Sequence, residues 1–189
     1  MLDGTESTGV YRPGGTITNL YHGDNNNVKT GNGLEDWTNI DEAITYHAQN
    51  ITDDRELGTK LPIPWMPQQI VTSTQLAATA KYIINATSTQ NIKGSGDYQR
   101  MNGNNPYQND FMVYSSPLVD YVLGDTKDTW YIGDFRKQFR WQEIIPFEVI
   151  DFASPEQAFR RDVVASYKAR YYGGIFAKDH RYVIQNTSA

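Results

Sequence analysis

Between Val163 and Tyr172 the chain alternates without interruption, and few folds can absorb such a stretch. Val163, Ala165, Tyr167, Ala169 and Tyr171 point one way, and Val164, Ser166, Lys168, Arg170 and Tyr172 point the other. A period of two, rich in β-branched and aromatic residues, specifies a long strand with one drier face. Gly173-Gly174 follows, two residues that tolerate positive φ and so signal a tight hairpin turn. On this reading Ile175 to Gln185 returns as the second strand, broken near Lys178-Asp179. A ribbon of this length needs a body to lie on and cover for its edges. The remaining sequence has to supply both.

Residues 1–35 are rich in Gly, Thr and Asn and show no sustained period, so they read as extended or loop structure ordered only by neighbours. An amphipathic helix follows. Thr38 is its expected N-cap, Asp41 and Glu42 sit in the first turn, and Ile40, Ala43, Ile44, His47, Ala48 and Ile51 form its apolar stripe to an end near Asp54. Gly58 and the prolines at 62, 64 and 67 prevent its resumption. Pro67 to Val71 reads as a short strand. Ser73 or Thr74 then caps a second helix with Leu76, Ala77, Ala80, Ile83 and Ile84 on one face, ending near Ala86.

Thr87 to Asn109 is a long polar stretch without periodicity, expected to be a functional or mobile loop. Phe111 to Tyr114 is a candidate buried strand. Ser116 with Pro117 opens a brief helix, Leu118 to Leu123, that Gly124 closes. Trp130-Tyr131-Ile132, Phe139 to Ile145 and Phe147 to Phe152 read as strands, with Pro146 at a strand end or bulge. Ser154-Pro155 starts a last short helix, Glu156 to Phe159. Helices and strands mix without regular βαβ spacing, which predicts an α+β fold with a mostly antiparallel sheet.

The 189 residues suffice for one sizeable domain or two small interleaved ones. With no cysteine, disulfides, thiolate catalysis and cysteine-based zinc sites are excluded. Charge is uneven: residues 1–135 hold 8 Lys/Arg against 16 Asp/Glu, while residues 136–189 hold 9 against 6. A basic C-terminal segment of that mixture suits a solvated or intersubunit face better than a phosphate site. No apolar run approaches the roughly 18 residues of a membrane span, so no membrane partner is expected.

No residue set carries chemistry. His22, His47 and His180 lack metal-ligand spacing, and Asp179 and His180, adjacent in an expected strand, point to opposite faces. Glu143, Glu148 and Asp151 flank a strand turn, where converging acid–base carboxylates are a minor possibility. Asp24-Asn25-Asn26-Asn27 lacks the spacing and distal glutamate of a calcium loop. Ser115-Ser116-Pro117 is explained by helix capping. Trp130, Tyr131, Phe135, Phe139, Trp141 and Phe147 could form a stacking platform, although their spacing within strands favours core or interface packing. No catalytic residue, cofactor or metal site is expected.

The order of elements is more specific than any motif. It runs NIDEAITYHAQNITDD, MPQQIVTS, TQLAATAKYIINATST, a loop with NNPYQNDF, then FMVYSSPLV, TWYIGDF, IPFEVIDF and FRRDVVASYKARYYGGIFAKDHRYVIQ. This order, with the closing F-x-x-D-x-V at Phe159, Asp162 and Val164, resembles the C-terminal two-thirds of tailed-bacteriophage major capsid proteins of the Hong Kong 97 type, nearest the Mu-like branch. It covers residues 36–185.

The resemblance implies a non-enzymatic shell subunit of a phage or prophage. Such subunits associate into pentamers and hexamers, assemble in the host cytoplasm and end in the virion capsid around double-stranded DNA, which the inner face meets weakly and non-specifically. It implies interleaved subdomains: a leader at 1–35, a peripheral part from 36–60 and 155–189, and an axial part from 61–154. The loop at 87–109 would face a symmetry axis, and Tyr167, Tyr171 and Tyr172 beside Lys168 and Arg170 would lie on a lateral contact. Family members carry an N-terminal arm and a protruding hairpin ahead of the helix. Here only about 35 weakly patterned residues precede it, so the chain reads as a fragment, a processed form or a trimmed one, and no crosslinking residue is carried over. The rival readings are an encapsulin-type shell protein, a carbohydrate- or ligand-binding β module, and a hydrolase using Glu143 with Glu148 or Asp151.

Overall fold

The computed structural model of the chain describes residues 19–54, 60–92, 100–124, 128–151 and 166–188. The expected short helix at 156–159, the Phe159, Asp162 and Val164 motif and residues 1–18 lie outside that set. The chain divides into two compact units, 1–138 with 179–189, and 139–178.

In chain order the first unit opens with a 3-10 turn at Gly23–Asn25 and strand β1 (Val28–Lys29), followed by helix α1 (Trp37–Asn50). Strands β2 (Thr52–Asp54) and β3 (Lys60–Pro62) pair antiparallel. Strand β4 (Gln69–Thr72) leads into helix α2 (Ala77–Asn85). Strands β5 (Ser88–Ile92) and β6 (Arg100–Asn104) form an antiparallel pair. Then come β7 (Met112–Ser115), α3 (Pro117–Leu123), β8 (Trp130–Gly133) and the single-turn α4 (Phe135–Gln138). The second unit holds β9 (Phe139–Asp151) and β10 (Tyr167–Ala177). The chain returns through a 3-10 turn at His180–Tyr182 to β11 (Val183–Asn186).

The first unit is organised on a five-stranded sheet in the order β1-β11-β8-β4-β7. β8 is antiparallel to both β11 and β4, whereas β1–β11 and β4–β7 are parallel pairs. This sheet is therefore mixed, while the three two-stranded pairs are antiparallel, so antiparallel pairing predominates among the described strands as expected. All four residues of β8 are buried, and Trp130, Tyr131 and Ile132 are fully so. A strand covered on both faces reads as a continuous apolar run, which is why Trp130 to Ile132 does not alternate. Ile40 and Ala43 from α1, Ala80, Ile83 and Ile84 from α2, and Ile70, Trp130, Ile132 and Ile184 from the sheet form one core.

Local signals place most helices, with corrections at their ends. Asp36, not Thr38, caps α1, making a reciprocal capping box with Asn39. The helix stops at Asn50 because Thr52–Asp54 pairs as a strand. Asp41 and Glu42 thus fall beyond the first turn. Tyr107 donates to Asp41 at 2.7 Å, and Lys29 to Glu42 at 2.6 Å. Helix α2 starts at Ala77 without a side-chain cap, although Ser73 Oγ accepts from the Leu76 amide just ahead of it. Helix α3 matches its signals: Ser116 caps it, Pro117 opens it and Gly124, at φ 58°, closes it.

Asparagine overturns two loop expectations. Residues 19–35 are not a loose leader: Leu20, Tyr21, Leu34, Asn25, Asn27 and Asn32 are buried. Asn25 and Asn27 donate to the Leu20 carbonyl, and Asn32 donates to the Asn39 carbonyl and to Asn186 Oδ1. In the stretch 87–109, Ser88–Ile92 pairs with Arg100–Asn104, and buried Asn105 donates to the carbonyls of Ile83 and Ala86 at the end of α2. An amide that replaces water at orphaned carbonyls makes a polar segment part of the core. Composition reports the polarity and hides the partner. Phe111 is buried, but Met112 and Tyr114 on β7 are exposed because β7 is a sheet edge rather than a buried strand.

Two outcomes follow from this packing. A methyl group at Gly133 would stand 2.2 Å from the Tyr182 carbonyl and 2.7 Å from Val183 Cα, so Gly133→Ala must push β8 and β11 apart. Chemical denaturation should show a loss of roughly 2 kcal/mol or more, the scale of core overpacking. His47 is buried, and desolvation lowers its pKa to about 4, against a raising contribution from its bond to the Arg181 carbonyl. The unfolded chain binds this proton near pH 6.5 and the folded chain only near pH 4. Stability is therefore full above pH 6.5 and falls as pH drops toward 4, by at most roughly 3 kcal/mol. Denaturation of His47→Gln between pH 7 and 4 should show a shallower acid decline than the parent.

Candidate interaction surface

Among the described residues the second unit is a two-stranded antiparallel ribbon, but its partners differ from the expected ones. Tyr167–Ala177 runs straight through Gly173-Gly174 and pairs with Phe139–Asp151, so no hairpin turn forms there. Neither glycine has positive φ. Gly173 instead lies beside a register shift, where strand glycines commonly mark a bulge or a close approach. The close approach here is aromatic: a Cβ on Gly173 would stand 2.9 Å from the Trp141 ring. The break expected near Lys178-Asp179 is real, but the return segment joins the five-stranded sheet through β11 rather than the ribbon. The two expected strands at 139–145 and 147–152 are one strand, β9, with the irregularity spanning Pro146.

The ribbon's side chains are largely uncovered. Trp141 lies opposite Ile175, and Tyr171 stacks over Trp141 with ring centroids 6.4 Å apart and planes at 12°. Val149 sits opposite Ala169, with Tyr167 two residues further along. Trp141, Tyr171, Ile175, Val149 and Tyr167 are all exposed, Tyr167 at 69%. Ile144, Phe147, Tyr172 and Phe176 are exposed too. This much uncovered aromatic and aliphatic surface on one small unit exceeds the scattered apolar residues of an ordinary monomer surface. Arg170 and Glu148, cross-strand partners, form an ion pair at its margin.

Further exposed apolar side chains, not anticipated from sequence, lie on the first unit. Met112 and Tyr114 on edge strand β7 and Leu118 and Tyr121 on the following helix α3 are exposed, Tyr121 at 86%. Thr74 docks α3 by donating its amide and hydroxyl to the Asp120 carboxylate. The signal was available in the spacing of Leu118 and Tyr121, three residues apart on one helix face, but a seven-residue helix is too short for a periodicity to stand out.

The remaining suspects are dispersed. His22 Nδ1 accepts from the Asp24 amide at the turn, His47 is buried, and His180 lies in the second 3-10 turn rather than in a strand. Asp179 caps that turn and binds Arg181, so it is not a strand neighbour of His180. Glu143, Glu148 and Asp151 do not flank a turn; they lie along one strand, opposite Gly173, Arg170 and Tyr167. Five residues of strand between Glu143 and Glu148 correspond to about 16 Å, outside the span of a glycosidase pair. Trp130 and Tyr131 are fully buried and cannot stack a ligand, whereas Trp141 and Phe147 are exposed. Among the described residues no three His, Asp or Glu side chains are grouped to hold a metal, and no helix is long and apolar enough to cross a membrane.

The aromatic pair is open to test. Gly173→Ala should force the Trp141 ring off Tyr171, changing near-ultraviolet circular dichroism and tryptophan emission while the sheet of the first unit keeps its far-ultraviolet signature. An unchanged aromatic spectrum would contradict the packing described.

No curated protein matches the chain. A family model described as phage capsid protein matches residues 2–186, so the match extends ahead of residue 36 and includes the asparagine-wired segment. The chain belongs to the phage capsid protein family and is a structural protein of the virion.

Proposed function

We propose that this chain is a subunit of an icosahedral phage or prophage head, with the Hong Kong 97-type fold and nearest the Mu-like branch, that associates laterally with copies of itself into pentamers and hexamers enclosing double-stranded DNA. The observation that carries the reading is the exposed apolar side chains of the ribbon: Trp141, Val149, Tyr167, Tyr171 and Ile175. Tyrosine and tryptophan bury large area at low rotamer cost while keeping a polar tip, which suits surfaces that must be soluble before assembly and dry after it. A shell repeats one contact many times, so each contact works best when modest and reversible. The occupant of the ribbon face is thus a second copy of the chain.

In this reading α1 and the C-terminal segment act peripherally, 61–154 contributes the axial part, and the β5–β6 region approaches a symmetry axis. The subunit works without catalysis or cofactor, assembles in the host cytoplasm, and meets DNA weakly through its inner face. Concentrated protein viewed by electron microscopy should show rings or shells of five- and six-fold symmetry. Tyr171→Asp should raise the concentration needed for assembly on the order of 30-fold, the scale of one lost interface anchor, with little change in thermal midpoint, while Tyr171→Phe assembles normally. Assembly of the aspartate variant at the parent's concentration would overturn the reading.

A further inference from the structure

Three side chains from three separate segments converge on one short piece of backbone. Asn27 Nδ2 donates to the His180 carbonyl at 3.1 Å, and Trp65 Nε1 donates to the Tyr182 carbonyl at 2.8 Å. Between them, His47 Nε2 meets the Arg181 carbonyl at 2.8 Å. The imidazole and indole stack at 3.8 Å and 7°, so two of the three groups brace each other. Three consecutive carbonyls can be reached from one body only because His180–Tyr182 is a 3-10 turn, whose carbonyls point along a common direction.

The stretch is secured further by backbone and charge. The Asp179 amide donates to the Gln138 carbonyl at 3.4 Å and the Asp134 amide to the Tyr182 carbonyl at 3.0 Å. Arg181 folds back onto Asp179 through Nε and Nη2, at 2.9 and 2.7 Å. Lys137 lies over the Tyr182 ring at 5.3 Å. Residues 179–182 are nevertheless only half-buried, unlike the fully buried Val183 and Ile184 that follow. They are also where the chain re-enters the first unit after its excursion through 139–178. Polar anchoring has replaced apolar burial at this point, and hydrogen bonds to half-exposed backbone open more readily than a buried ladder.

We propose that residues 179–182 are a latch: a strap closed by Asn27, His47 and Trp65 that can open while β8 and β11 stay paired. Its role, which rests on the self-association reading, is to give the chain a local opening where it re-enters the first unit, one that can be closed once copies have met. The strap is a sub-global unit with its own opening equilibrium, and the donors set that equilibrium.

Native-state hydrogen exchange on the dispersed 189-residue chain tests this. In the parent protein the Asp179 and Arg181 amides should exchange at least tenfold faster than the Ile132 and Ile184 amides, with weak dependence on denaturant. Trp65→Phe keeps a flat ring against His47 but removes the donor; it should speed exchange at Asp179, Arg181 and Asp134 roughly five- to tenfold, the ratio expected for one lost hydrogen bond, leaving Ile132 and Ile184 unchanged. Equal rates and equal denaturant dependence for strap and sheet in the parent would overturn the latch even if the variant fails to fold. So would a uniform rise across strap and sheet in Trp65→Phe. Because exchange is read without assembly, the latch and the self-association reading fail separately.

Discussion

Everything in the first unit depends on burying one strand from both sides. Trp130, Tyr131 and Ile132 reach full burial only because β4 and β11 hydrogen-bond along its two edges while α1 and α2 contribute the core around it. The dependence is mutual. Gly133 lets the Tyr182 carbonyl approach within a distance no side chain would allow, so β11 reaches register with β8 at the cost of any bulk there. The Trp130 indole then finds the Asn32 carbonyl at 2.8 Å, tying the centre of the sheet to a segment nearly one hundred residues earlier. A wholly buried tryptophan needs such a partner for its N–H.

Burial on this scale leaves backbone groups to satisfy, and the chain does so with asparagine. Asn25, Asn27, Asn32 and Asn105 each donate to main-chain carbonyls, and Asn32 also bonds Asn186 on β11. An unpaired buried carbonyl costs more than a hydrogen bond returns, so these amides act less as added stability than as the avoidance of a penalty. This explains why polar, glycine-rich segments around residues 25 and 105 belong to the body of the fold.

The ribbon obeys the opposite rule. Its two strands satisfy each other's backbone while many of their side chains stay exposed. The two units thus treat side chains differently: the first closes a core on itself, and the ribbon leaves Trp141, Val149, Tyr167, Tyr171 and Ile175 exposed. Met112 and Tyr114 on the edge strand of the five-stranded sheet and Leu118 and Tyr121 on the helix after it are exposed as well, while Val119 and Leu123 of that helix are buried.

Local pattern by itself determined the helices near 37–50, 77–85 and 117–123, the strands at 69–72 and 130–133, and the ordered elements that resemble a phage capsid protein, because caps, prolines and periodicity act over a few residues. It also told that 167–171 is a strand with an aromatic side. Which strand it meets was decided only in three dimensions. A Gly-Gly pair permits a turn without requiring one, and here the strand continues through it, pairing ten residues of β10 with Phe139–Asp151. Tertiary structure likewise decided that Asn27 and Asn32 are core residues, that Asp36 rather than Thr38 caps α1, and that Val183–Asn186 leaves the ribbon for the sheet. Each of these turns on a partner far away in sequence, and no window of neighbouring residues contains it.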